Sequence, residues 1–161
     1  MKEKEIRIDI VDASINSHNL DKMNEAYKKA LTLNKVIKLQ IGEDIVMSYK
    51  RASSILESEL KNQNLGLSNT TDPGIFKNDY EKNLLKKINE LKKYFSSINK
   101  DENYKVSLDN LANSKKVIFE FFDNVKVNDQ EENIKKNRLE LLQMLCRTFN
   151  NYINFSNLEA K

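Results

Sequence analysis

The 161-residue sequence predicts an all-α fold, a helical bundle of about six helices. Three observations lead there. Apolar residues return every three or four positions through most of the chain, which is the spacing of one helix face. Only three Gly and one Pro occur, too few for the many tight turns of an all-β chain. Hydrophobic residues make up 39% and charged ones 32%, the balance of a helical domain with one core rather than of a disordered chain. This length suits one domain, so residues 1–161 are read as a single unit.

The first helix is expected from Ile6 to Ile15, with Ile6, Ile10 and Ala13 on one face and Val11 beside them. Asn19 or Asp21 then offers a cap, and His18 reads as a turn or cap residue at the same junction. In the second helix Met23, Ala26, Tyr27, Ala30, Leu33 and Ile37 form the apolar stripe. Gly42 separates it from a third, with Ile45, Tyr49, Ala52, Leu56 and Leu60 on one side. The segment N-Q-N-L-G-L-S-N-T-T-D-P-G, residues 62–74, holds two of the three Gly and the only Pro, and reads as a long loop. A fourth helix carries Tyr80, Leu84, Ile88, Leu91 and Phe95; a fifth runs from about Leu108 through Val117 and Phe121 to Phe122. The last is expected from near Glu131 to Phe155, after a corner in which Val125 and Val127 point inward.

Several chemistries lack material. No G-x-x-x-x-G-K-[ST] or G-x-G-x-x-G loop is present to cradle phosphates. His18 is the lone histidine, too little for a His-based metal cluster, so no metal is expected. Cys146 is the single cysteine, which rules out a disulfide within the chain; it reads as a small packing residue. Carboxylates such as Glu43-Asp44 and the run 129–132 suit helix starts better than acid–base catalysis. No apolar run approaches the roughly 20 residues of a membrane span, and the start M-K-E-K-E-I-R-I has no signal-peptide core, so the expected compartment is the cytoplasm. The formal net charge of +3 is a mild basic excess, compatible with an anionic partner.

Two stretches carry more information than the rest: G-E-D-I-V-M-S-Y-K-R-A-S-S-I-L at 42–56, and F-F-D-N-V-K-V-N-D from Phe121, followed by N-R-L-E-L-L from Asn137. In this order and spacing they resemble the C-terminal region of the β subunit of the bacterial heterotetrameric glycyl-tRNA synthetase. The ending F-x-x-x-x-x-F-S-x-L, Phe149 to Leu158, is similar to that subunit's terminus. Lys126 stands where the family often has an apolar residue.

The resemblance implies an α-helical anticodon-binding domain (DALR-type), also found in arginyl-tRNA synthetase, and a C-terminal segment of a longer β subunit. It implies tRNA and the α subunit of an α2β2 assembly as partners, with no membrane role. The parent enzyme would be an ATP-using aminoacyl-tRNA ligase, whereas this segment would be non-catalytic and without a cofactor of its own. Glycine anticodons share two cytosines, whose amino groups need acceptors such as a carboxylate or an amide carbonyl. The alternatives are a structural bundle that docks proteins, or the related domain of another synthetase such as arginyl.

Seven residues are candidates for tRNA contact. Lys50 and Arg51 flank Tyr49, and supply cations for backbone phosphates. Asn124, Lys126 and Asn128 follow the fifth helix, where an exposed corner is expected. Asn137 and Arg138 open the last helix, with an amide and a planar donor fork suited to base edges. For Arg138 the favoured reading is a clamp onto Asp123 or Asp129 rather than direct tRNA contact. Phe121 and Phe122 suit base stacking or the core, with core favoured for at least one.

Overall fold

The structure, a computed structural model, describes residues 6–14, 20–63, 65–98 and 103–158. Among them are seven α-helices and no strand: α1 (Ile8–Ser14), α2 (Leu20–Val36), α3 (Gln40–Asn62), α4 (Asp79–Ser97), α5 (Tyr104–Asn113), α6 (Lys115–Asn124) and α7 (Glu132–Phe149). Short 3-10 turns stand at Pro73–Ile75 and Phe155–Asn157. The all-α expectation holds. His18 and Asn19 lie outside the described residues.

The expected fifth helix is two, α5 and α6, joined at Ser114. The Ser114 N–H donates to the Leu111 carbonyl and its buried hydroxyl donates to the same oxygen, which tightens the turn that ends α5 before α6 begins. The last helix also ends earlier than expected, at Phe149. Asn154 caps the following 3-10 turn, accepting from the Ser156 N–H, and the turn folds Phe155 back onto the rings of Tyr49 and Phe149.

α7 is the centre of the core. It packs against α3 on one side and α4 on another, and 13 of its 18 residues are buried, so no broad face of it meets solvent. α3 runs antiparallel to it: Tyr49 meets Phe149 and Asn150, while Glu59 meets Lys135 at 2.7 Å. α6 runs beside α3 in the same sense, since Asp44 pairs with Lys115 and Arg51 with Asp123 about two turns later. Gly42 permits the tight entry to α3, because a Cβ there would collide with the Val36 carbonyl and the Ile37 backbone.

Two predicted stripes differ in detail. In α2 the buried residues are Ala30, Leu33 and, at its end, Val36 and Ile37, whereas Met23 and Tyr27 are exposed. In α4, Leu84, Ile88 and Leu91 are buried as expected, but Tyr80 is 36% exposed and Glu81, at 1%, takes the inward position.

Candidate nucleic-acid interface

The corner between α6 and α7 is built by one buried arginine. Arg138 is 4% exposed. Its Nε donates to Glu81 Oε1 at 2.6 Å, and its Nη1 donates to the Lys126 carbonyl at 2.7 Å and to Asp129 Oδ2 at 3.0 Å. Three segments (the start of α4, the corner and α7) are thereby tied to one guanidinium. The Glu131 N–H donates to Asp129 at 3.0 Å, and this bond, aided by Arg138, holds the Asp129 carboxyl below the usual carboxylate range. Val125 and Val127 point inward on either side of Lys126, as the alternation in sequence predicts.

Glu81 completes the clamp. Its second oxygen accepts the N–H groups of Lys77 and Asn78, while the Asn78 side chain accepts the Glu81 N–H at 3.1 Å. This reciprocal cap satisfies the first turn of α4 and fixes the carboxylate that faces Arg138. A buried carboxylate with an arginine and two amide donors has its lone pairs met, which is the condition for burying such a pair at all.

Asn137 is buried too. It accepts the Asp72 N–H at 2.7 Å and donates to the Asp72 carbonyl at 3.1 Å. One turn on, Glu140 accepts both the N–H and the hydroxyl of Ser68, at 2.9 and 2.8 Å. Of the polar loop expected at 62–74, residues 65–74 are thus a strap fastened along α7, while Asn62 ends α3. Both Asn137 and Arg138 therefore face protein, and the clamp is the arrangement the structure contains, with Glu81 and Asp129 as the acids; Asp123 pairs with Arg51 instead.

The remaining candidates lie outside. Asn124, Lys126 and Asn128 are exposed at the corner, although the Asn124 amide donates to the Glu120 carbonyl at 2.8 Å and so finishes α6. Tyr49 is buried, where loss of water pushes its phenol up, and Lys50 beside it is half-buried. Arg51 turns toward α6: its guanidinium carbon lies 4.8 Å from the Phe122 ring centroid and 5.1 Å from that of Phe119. Phe121 is in the core, and Phe122 is half-buried beneath Arg51.

The sequence reading missed Glu81, Phe119 and the α3–α6 pairs. For Glu81 a signal existed: N-D-Y-E at 78–81 has the spacing of a reciprocal helix cap, which draws the Glu side chain back to the helix start. For the contacts of Phe119 and Asp123 with Arg51 none existed, since these residues lie about seventy positions apart. A separate cleft of about 360 Å³, lined by Lys29, Lys92, Phe95, Tyr104 and Tyr152 among others, gathers none of the seven candidates. No helix among the described residues is long and apolar enough to cross a membrane.

A family model described as the DALR anticodon binding domain matches residues 45–160. The chain is 32% identical over 127 residues to the glycine–tRNA ligase beta subunit of Rickettsia typhi, which covers 79% of this chain and 18% of that relative. It is 29% identical over 160 residues to the subunit of the same name from Persephonella marina, covering 98% and 21%. With that of Clostridioides difficile it shares 29% over 147 residues, covering 91% and 20%. The chain thus spans about a fifth of the length of the curated relatives it matches.

Proposed function

The chain belongs to the DALR anticodon-binding domain family, and on that premise we propose that it binds the anticodon arm of a tRNA. The observation that carries this is the family match across 45–160, joined to relatives that are beta subunits of glycine–tRNA ligase. In this reading the tRNA is that of glycine and the chain acts within the β subunit of an α2β2 ligase in the cytoplasm. ATP-dependent aminoacylation takes place on the α subunit, and this segment contributes selection of the tRNA without a cofactor of its own.

The exposed residues of the α6–α7 corner, with Arg51 and the half-buried Lys50 of α3, supply the contacts. Lys50 and Lys126 neutralise loop phosphates, while Asn124, Asn128 and Arg51 offer groups to unstacked bases. Asn137 and Arg138 serve from within, holding the backbone of the strap and of the corner in place.

Binding of this chain to two separate RNAs, the anticodon hairpin and the acceptor hairpin of glycine tRNA, tests the reading across a salt series. The expected result is that the anticodon hairpin retains most of the affinity of the whole tRNA, with the acceptor hairpin far weaker at every salt concentration. Equal binding of both hairpins with a steep loss in salt would reduce the chain to a general phosphate binder and overturn the reading.

A further inference from the structure

Between α3 and α6 runs a ladder of cations and rings. Lys115 Nζ lies 5.5 Å from the Phe119 centroid, and the Arg51 guanidinium sits over Phe119 and Phe122 together. A carboxylate closes each end, but the two are held differently. Lys115 donates to Asp44 at 2.8 Å, a formed hydrogen bond. Arg51 and Asp123 approach only to 3.9 Å, beyond hydrogen-bond range, with side chains 40% and 67% exposed.

The guanidinium is therefore located by aromatic faces and not by its carboxylate, so both groups keep outward hydrogen-bonding capacity. A carboxylate beside the cation also offsets its attraction for phosphate, which makes this a poor phosphate seat. It is instead an acceptor set next to a planar fork of donors. That pattern complements a base edge on which an exocyclic amino group adjoins an unprotonated ring nitrogen, as in cytosine and adenine. Cytosine adds a ring carbonyl for a second guanidinium N–H, which adenine lacks. Uracil reverses both positions, with a carbonyl facing the carboxylate and a ring N–H facing the donors.

We propose that Arg51 and Asp123 together form a base-edge site for an unstacked cytosine, in which Asp123 accepts from the amino group and Arg51 donates to the ring nitrogen and carbonyl. This rests on the anticodon-arm reading above, and specifies which pair reads a base.

The test titrates the full chain with anticodon-arm hairpins of glycine tRNA that differ only in two loop bases: cytosines, adenines or uracils. Wild type should bind the cytosine hairpin about tenfold more tightly than the uracil one, with adenine between. Asp123→Asn, whose amide can donate where the carboxylate accepted, should bring the cytosine-to-uracil ratio near unity, and Arg51→Gln should weaken cytosine binding. An unchanged melting temperature for Asp123→Asn excludes misfolding as the cause. If wild type discriminates and Asp123→Asn still does, another residue reads the base: this site is overturned and the anticodon reading stands. Equal binding of all three hairpins, or adenine above cytosine, likewise overturns the cytosine site alone. Absence of binding to any hairpin overturns both.

Discussion

Arg138 on α7 and Arg51 on α3 bring the same planar cation into opposite surroundings. Arg138 is enclosed, and its guanidinium donates to two carboxylates and a carbonyl. Arg51 lies across two phenylalanine rings at the surface, with a carboxylate close by but unbonded. Burial obliges a charge to find partners, because an unpaired ion in a low-dielectric interior is costly. Partial exposure removes that obligation, and the fork remains available to a ligand. The region around α4 and α7 therefore ties separate backbone segments together, and the α3–α6 seam carries the proposed base-edge site.

The comparison breaks first at Arg138. Arg138→Met should destabilise the fold by about 3–5 kcal/mol, since it strands the Glu81 carboxylate in the interior; denaturant unfolding measures this. Cys146 supplies a second readout. Burial pushes its thiol up to about 12, so at pH 8 it is protonated and a thiol reagent should label it only as the protein opens. Labelling should accelerate in Arg138→Met. Adding Glu81→Gln, which removes the charge and keeps an acceptor for the α4 cap, should recover part of the loss. No recovery would show that the cost lies in packing and not in the stranded charge.

Arg51→Ala should cost about 1 kcal/mol or less in the same assay, as expected of an exposed cation–ring contact with a loose ion pair. A loss as large as that of Arg138→Met would make the seam structural and erase the contrast. The smallest effect belongs to Asp44. The hydrogen bond from Lys115 lowers its pKa, so its contribution to stability is present above the ordinary carboxyl value and is lost as pH falls through the lowered one. Lys115→Met should therefore cost about 0.5 kcal/mol near neutrality. The gap from wild type should begin to narrow as pH falls below about 4 and lose its ion-pair part below the lowered Asp44 value, as followed by thermal unfolding across pH.

Apolar spacing was enough to foresee the bundle, the inward valines of the corner and most of the α3 stripe. It misplaced Tyr80 and missed Glu81 because periodicity assigns charge to solvent, and a cap and an arginine elsewhere can reverse that assignment. The sequence reading placed Asn137 and Arg138 among the candidates for tRNA contact because an amide and a guanidinium suit base edges, whereas both are buried. An ordinary surface helix shows one apolar stripe, whereas α7 is enclosed nearly all round and buries Lys135, Asn137, Arg138 and Glu140 against polar partners. For Arg138 the clamp was legible from F-F-D and N-R-L, with Asp129 as one of its two possible acids, and Glu81 was missing. The Arg51–Asp123 pair was not legible, because which surface residue of α3 meets which of α6 depends on helix packing and not on local pattern.

The central position of α7 also bears on how the chain is made. Synthesis proceeds from the N-terminus, so α3, the strap and α4 all emerge before the helix that supplies their Lys135, Asn137, Arg138 and Glu140 partners. Until then Glu81 has no guanidinium, and the faces of α3 and α4 that α7 covers are open to water. Packing among α2, α3, α5 and α6 does not need α7, but the clamp on Glu81 and the fastening of the strap can form only once residues 132–149 arrive.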